Sequence, residues 1–207
     1  QATREIAKLE SQIEQLEEQI VSETAVFALK IGVEYHPDLT LRKPNLNRHL
    51  VLVEQTIPTN ELIEQSYNMK VAKENLEWAR KERDRIHADK DATKYEKEQA
   101  DIDVELKLLN ISKLKVDGEK AIVELYHNVE KQYHALKDAE KEVEYAKEDF
   151  KNMKKRYDIG VISRADYELS EMNVTQALFN YEMEKYNYYL LLQQVNLLEA
   201  GVLPLQS

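Results

Sequence analysis

The sequence predicts an all-α protein built from a few long, antiparallel coiled-coil helices. Its 207 residues include only four glycines and four prolines, so the chain has few positions at which it can reverse direction. Charged residues make up 33% of the chain, and Glu, Lys, Leu, Ala and Gln, which lose little on entering a helix, dominate. Apolar residues recur every three or four positions, which is the spacing of a helical seam.

The composition and the motifs argue against several classes of function. A net charge of -10 without a basic stripe argues against a nucleic-acid partner. The absence of cysteine excludes disulfides and thiolate metal sites. The sequence contains no nucleophile elbow, no phosphate-binding glycine loop and no zinc-protease motif, so we predict no enzymatic activity, cofactor or metal site. We interpret His127 and His134, seven residues apart on one helical face, as interfacial or solvated.

The first predicted helix covers residues 3–31, and Gly32 follows it at the usual position of a left-handed cap. Its seam alternates three- and four-residue steps and consists of Ile6, Leu9, Ile13, Leu16, Ile20 and Phe27. Residues 33–58 contain three prolines and form an irregular connector, in which 39–41 and 50–53 could form short strands of a small β element.

Three further helices are predicted over residues 59–86, 94–157 and 163–200. Thr59 is the expected N-cap of the first of them, and Thr93 with Glu96 forms a capping box before the second. Gly118 weakens that helix by about 1 kcal/mol relative to alanine, which allows a kink or a bulge there. The helix also carries a seven-residue repeat, which consists of Ile122, Val129, Leu136, Val143, Phe150 and Tyr157.

The last helix carries two apolar stripes, so we expect it to contact neighbours on two sides. One stripe contains Leu169, Met172, Phe179, Met183, Tyr186, Leu190 and Leu197, and the other contains Val174, Tyr181, Tyr188, Leu192 and Val195. The lengths predict that helices 59–86 and 163–200 lie end to end along helix 94–157. The seam of the first helix is then left without a partner, which predicts an oligomer or a missing N-terminal portion.

The turn around Gly160 has two interpretations. Tyr157 ends the apolar repeat, Gly160 gives the backbone its freedom, Ser163 caps the next helix and Asp166 stands at the capping-box position. A well-formed hairpin turn explains all of these residues, and an interaction site explains them equally well. A similarity between residues 29–33 and 198–202, which each end a helix, also suggests the same helix from two repeats.

Residues 156–167 (RYDIGVISRADY), the helix ending in NLLEAG at residues 196–201, and residues 31–39 (IGVEYHPDL) resemble the TolC-like outer-membrane efflux proteins. This resemblance implies a trimeric, tapered tube of helices, the α-barrel, that serves efflux or type I secretion. The tube works with a periplasmic adaptor and an inner-membrane pump, outside the cytoplasm in the cell envelope.

The resemblance divides the chain into the end of a first helical repeat (1–32), an equatorial connector (33–58), a second helical repeat (59–201) and a tail (202–207). It also implies that a first repeat and a signal peptide precede residue 1. The tip of the tube, where the adaptor docks, would consist of Tyr157, Gly160, Val161, Ile162, Ser163, Arg164 and Asp166.

Two departures from the family are visible. Some members have an acidic residue where this chain has Leu169, which removes support for a family-like cation selectivity. Members also insert two membrane strands between the second and third helices, whereas residues 87–93 are too few for strands of about 9–11 residues each. The alternative to a conduit is a coiled-coil scaffold or adaptor without a channel.

Overall fold

The computed structural model describes residues 2–37, 39, 42, 44–46 and 50–205. The chain forms two compact units, residues 1–45 and 46–207. The described residues form helices and no strand, which confirms the predicted all-α class. The helices are α1 (Ala2–Lys30), α2 (Thr59–Gln65), α3 (Tyr67–Ala88), α4 (Lys94–Asp158) and α5 (Arg164–Glu199).

The first unit contains α1, whose apolar seam is exposed to solvent. The exposed fraction of the seam side chains runs from 45% at Phe27 to 65% at Ile20. The helix ends in a Schellman motif, in which the N–H of Val33 donates to the carbonyl of Ala28 at 2.9 Å and the N–H of Gly32 donates to that of Leu29 at 3.2 Å.

The connector forms no strand over the residues that the structure describes. The predicted strand at 39–41 includes residues 40 and 41, which lie outside the described residues, and residues 50–53 are irregular. In the second unit, Leu50, Val53 and Ile57 pack against the main apolar core. The hydroxyl of buried Tyr188 donates to the carbonyl of Val51 at 2.6 Å, so this part of the connector is held by side-chain packing rather than by a sheet.

The predicted helix 59–86 is interrupted at Ser66, which has extended backbone angles and is fully buried. Its hydroxyl accepts from the N–H of Met69 at 3.2 Å and donates to the carbonyl of Ile63 at 2.6 Å, so it caps α3. The prediction that Thr59 caps α2 is wrong, because Pro58 occupies the N-cap position. The carbonyl of Pro58 accepts from the N–H of Leu62 at 3.1 Å, so the helix begins there without a side-chain cap.

Helix α4 is the spine of the second unit. Its 65 residues correspond to about 98 Å, and the predicted capping box of Thr93 and Glu96 is present at its start. The helix is continuous through Gly118, which is buried. A Cβ atom at this position would lie 3.3 Å from Cγ1 of Ile63 and 3.5 Å from Cδ1 of Leu203. The glycine therefore permits close packing of α2 and of the C-terminal segment rather than a kink.

The neighbours of α4 run in the opposite direction to it. His87, late in α3, lies 3.2 Å from Asp101, early in α4, whereas Glu64 in α2 pairs with Lys115 at 2.9 Å. In α5 the order of contacts is likewise reversed, because Phe150 contacts Tyr167 and Tyr133 contacts Tyr188.

Helices α3 and α5 meet end to end beside the middle of α4, as the lengths predict. The N–H of Tyr67, the first residue of α3, donates to the carbonyl of Gly201, just past the end of α5, at 2.9 Å. The main core surrounds this junction and extends along α4 and α5. Its buried residues are Leu62, Ile63, Met69, Ile122, Leu125, Val129, Leu136, Tyr188, Leu192, Val195, Leu198 and Leu203.

Candidate functional site

The far end of the α4–α5 hairpin, residues 157–166, is the candidate site, and we refer to it as the hairpin tip. Helix α4 ends there in a second Schellman motif. The N–H of Gly160 donates to the carbonyl of Tyr157 at 2.9 Å, and the N–H of Val161 donates to that of Arg156 at 2.8 Å. Gly160 has a φ of 74°, which an L-residue with a side chain adopts only with strain.

Helix α5 begins with the predicted capping box. The N–H of Asp166 donates to Oγ of Ser163 at 3.2 Å, and the hydroxyl of Ser163 donates to Oδ2 of Asp166 at 2.7 Å. The N–H of Ser163 donates to the same carboxylate oxygen at 3.2 Å. Both ends of the turn are therefore capped, and the turn is defined by hydrogen bonds within a few residues.

The charged groups of the tip are engaged in local interactions. The hydrogen bond from the Ser163 side chain lowers the pKa of Asp166, with smaller contributions from the Ser163 backbone N–H and from the charge of Arg156. Nε of Arg164 donates to Oε1 of Glu168 at 2.7 Å, and this hydrogen bond raises the pKa of Arg164. Asp166 and Arg164 therefore keep opposite charges next to each other on the first turn of α5.

An aromatic cluster joins the two helices behind the turn. The rings of Tyr157 and Tyr167 stack with centroids 4.9 Å apart, and Phe150 lies 5.4 Å from Tyr167. Tyr157 was among the predicted tip residues and Tyr167 was not. The signal for Tyr167 was available, since an antiparallel hairpin brings together residues at equal distances from its turn, and residues 157 and 167 are equally far from residue 162.

The outer surface of the tip is apolar with a charged rim. The exposed fraction is 74% for Ile159 and 60% for Val161, while Ile162 is half-buried. The structure brings all seven predicted tip residues together in one continuous segment. Small exposed apolar side chains on a hydrogen-bonded frame, next to charged groups, are suited to binding another protein.

A second exposed apolar surface lies on α5. The inner stripe of α5 packs against α4, with Tyr188, Leu192 and Val195 buried. On the outer stripe, the exposed fraction ranges from 45% at Met183 to 66% at Met172, except that Tyr186 is half-buried. Helix α5 therefore has one covered face and an opposite apolar face without a cover in the isolated chain.

The described residues offer little for bound small groups. An open groove of about 730 Å³ lies beside the junction, with Asp117, Lys120, Glu124 and Leu205 among its lining residues. Among the residues that the structure describes, no three His, Asp or Glu side chains lie close enough together to hold a metal ion. His127 and His134 are both exposed on α4.

No helix in the described part of the chain combines the length and the hydropathy needed to cross a membrane. The chain matches no protein-family model, no curated protein and no solved structure.

Proposed function

We propose that the chain is a non-enzymatic, TolC-like component of a tripartite efflux or type I secretion assembly. In this proposal three copies form a helical conduit outside the cytoplasm, in the cell envelope. The hairpin tip at Gly160 docks a periplasmic adaptor, which in turn contacts an inner-membrane pump. The resemblance of residues 156–167 and 31–39 to that family motivates the proposal.

The observation that supports a conduit most strongly is the pair of opposite apolar faces on α5. A helix in a simple two-helix rod needs one apolar face, because its other side meets water. In α5 the face towards α4 is buried, and the opposite face exposes Leu169, Met172 and Phe179 at 57% or more. A helix in the wall of a tube contacts neighbours on both sides and requires this arrangement.

The hairpin tip supports the docking part of the proposal. Ile159 and Val161 are exposed on a turn that both helix ends cap, so a partner can bind them without first ordering the loop. Binding to a preformed surface avoids the entropy cost of ordering a flexible segment. The 36 residues of α5, about 54 Å of helix, separate the tip from the α3–α5 junction, so a partner bound at the tip leaves the junction uncovered.

Light scattering of the complete protein tests the assembly. We expect a molar mass of three chains per particle at micromolar concentration, because the exposed seams would be buried between copies. A molar mass of one chain at the same concentration would contradict the proposal.

The second candidate is a coiled-coil scaffold without a channel. The polar outer face of α4 between residues 137 and 156 favours this candidate. The structure describes this segment completely, and Tyr145 is its one exposed large hydrophobic side chain. Lys141 and Asp138 form an exposed ion pair there, as on a solvated rod. A scaffold predicts a closed rod in which the outer stripe of α5 pairs with one partner helix and no lumen exists.

A further inference from the structure

The four methionines of the chain differ in how far solvent reaches them. Met69 is fully buried in the main core. Met153 is half-buried on α4, where its Sδ accepts a weak hydrogen bond from Nη1 of Arg156 at 3.9 Å. Met172 and Met183 lie on the outer stripe of α5, and their exposed fractions are 66% and 45%. Two thioether side chains are therefore open to small molecules dissolved in water, and the other two are partly or fully shielded from them.

Met172 and Met183 belong to one surface. They are about three helical turns apart, so they lie on the same side of α5. Leu169, Phe179 and Leu190 lie on that side with them, and each of the three is exposed by 57% or more. In the proposed conduit this surface is buried between neighbouring copies. A change in the polarity of the two methionines therefore changes a surface on which assembly depends.

An exposed thioether reacts with peroxides without help from a catalytic residue. The sulfur lone pair takes one oxygen atom from hydrogen peroxide, the O–O bond breaks, and the remaining oxygen leaves as water. The sulfur atom is oxidised by two electrons to a sulfoxide, and the peroxide is reduced. Susceptibility follows exposure, and the chain contains no cysteine that would compete for the oxidant. The structure therefore predicts that Met172 and Met183 react before Met153 and Met69.

The sulfoxide changes a flexible apolar side chain into a polar one with a hydrogen-bond acceptor. On the free chain, water satisfies this oxygen because the side chain is exposed. Burial of the stripe between copies removes that water, and an acceptor left without a partner carries its full desolvation penalty. We therefore expect each sulfoxide to weaken association through this surface by about tenfold.

We propose that Met172 and Met183 are sites of oxidation by peroxides, and that their sulfoxides block assembly through the outer stripe of α5. The proposal rests on the self-association in the proposed function and adds a chemical control to it. The control acts before assembly, because contacts between copies cover the two sulfur atoms afterwards. A chain that is oxidised first stays unassembled, whereas a chain that is already assembled is protected.

The four methionines allow a test of the sites within one protein. The complete protein, diluted until light scattering shows single chains, is treated with hydrogen peroxide, and peptide mass spectrometry follows each sulfoxide over time. We expect rates at Met172 and Met183 within about threefold of a free methionine peptide. Met69 should react at least about tenfold more slowly, because the core must first open locally. Oxidation of Met69 or Met153 as fast as Met172 would overturn the assignment of the sites.

The same time course on the assembled protein tests whether assembly covers the stripe. We expect oxidation of Met172 and Met183 to slow by at least about fivefold at micromolar concentration, with no matching change at Met69. Equal rates in the assembled and the diluted protein would show that the stripe stays uncovered, and this would overturn the proposal.

Light scattering of protein oxidised before assembly tests the effect of the sulfoxides. We expect association to weaken by at least about tenfold, and to recover after treatment with the two methionine sulfoxide reductases, one for each epimer, and a thiol reductant. Complete conversion of Met172 and Met183 without a change in molar mass would overturn the proposal and leave the conduit standing. A monomer before any oxidant is added would contradict the proposed function and the proposal together.

Leucine variants identify the residues responsible. Met172→Leu with Met183→Leu keeps the volume and the apolar character of the stripe, so we expect normal assembly that no longer responds to peroxide. Met153→Leu is the matched control, and it should remain as sensitive as the wild type because both stripe methionines are present. Peroxide sensitivity that persists in the double variant would place the effect at another site and overturn the proposal.

Discussion

At the residue scale, three helices of this chain end in the same way. A glycine with positive φ is followed by valine at Gly32–Val33, Gly160–Val161 and Gly201–Val202, and each pair makes the two hydrogen bonds of a Schellman motif. The similarity between the ends of α1 and α5 suggested two copies of one repeat. Because α4 ends in the same way, this motif reflects a common helix stop, and the repeat remains a prediction that needs other support.

Gly160 and Gly201 both end a helix with a positive φ, which predicts a similar cost of substitution at each. A Cβ atom at Gly160 meets no atom within 4 Å, and at Gly201 it would lie 3.4 Å from the carbonyl oxygen of Gln65, an ordinary van der Waals distance. We expect Gly160→Ala and Gly201→Ala each to lower the free energy of unfolding by about 1 kcal/mol through backbone strain. Urea denaturation followed by circular dichroism measures both, and no loss of stability at either position would contradict the strain.

The capping carboxylate of the hairpin tip predicts a pH dependence. The pKa of Asp166 is lowered by its hydrogen bonds to Ser163, so its contribution to stability is present above the ordinary aspartate pKa. That contribution is lost as the pH falls through the lower folded-state value. We expect Asp166→Asn to be less stable than the wild type at pH 7 and the two to converge as the pH falls below the lowered folded-state pKa of Asp166.

Thermal unfolding midpoints across that pH range provide the measurement. Glu171→Gln, a change at an exposed carboxylate inside α5, is the matched control and should show no such convergence. A constant difference between Asp166→Asn and the wild type at every pH would show that the carboxylate charge contributes nothing to the cap.

The caps at Thr93 and Ser163 could be predicted because each has its acidic partner three residues later and follows a break in the apolar pattern. Ser66 could not, because apolar residues continue through Leu62, Ile63 and Met69 as if in one helix. Serine is tolerated inside helices, so its presence alone did not indicate an end. At the interruption, the N–H of Tyr67 donates to the carbonyl of Gly201. These two residues are 134 positions apart in the sequence, so the local pattern gives no sign of the contact.

At the element scale, α4 acts as a continuous spine because its glycine is needed for packing. Gly118 faces Ile63 and Leu203, so the same missing side chain that lowers helix propensity allows α2 and the C-terminal segment to approach. Propensity alone suggested a kink or a bulge, and the structure shows an unbroken helix. The gain from burying these neighbours offsets a propensity cost of about 1 kcal/mol.

This role of Gly118 predicts a strong effect of added volume. Gly118→Leu should lower the free energy of unfolding by about 1–3 kcal/mol, because the new side chain displaces Ile63 and Leu203. The adjacent change Glu119→Leu places the same side chain on the exposed face of α4 and should be close to neutral. Denaturant titration of both variants checks the prediction, and similar stabilities for the two would contradict tight packing at Gly118.

The seven-residue repeat of α4 predicted its packing face well, since Ile122, Val129, Leu136 and Val143 are buried. The repeat weakens towards the tip, where Tyr157 is 38% exposed. On α5, the sequence showed that two stripes exist. It could not show which of them faces α4, because both have helical spacing and similar apolar content.

At the scale of the whole second unit, the sequence predicted the end-to-end arrangement from lengths alone. The 65 residues of α4 are close in number to the 22 residues of α3 and the 36 residues of α5 together. Because the chain has few turn residues, the two shorter helices can cover α4 only by lying one after the other along it. Individual contacts such as the Tyr188–Val51 hydrogen bond could not be predicted, because no local sequence pattern indicates that the connector packs against α5.

The exposed seams make self-association the central expectation for the whole molecule. Helices α1 and α5 each expose a continuous apolar seam. A soluble monomer normally exposes only scattered apolar residues. Burial of the two seams between copies would remove the exposed hydrophobic area, and the proposed conduit is one assembly in which this happens.

Electron microscopy of the complete protein tests the central claim most directly, because it distinguishes a hollow particle from a rod. The account predicts end-on views with three-fold symmetry and a central low-density lumen, about 10 nm long in side view over the α4 segment. Solid rods two or three helices across, without a lumen in any view, would contradict it.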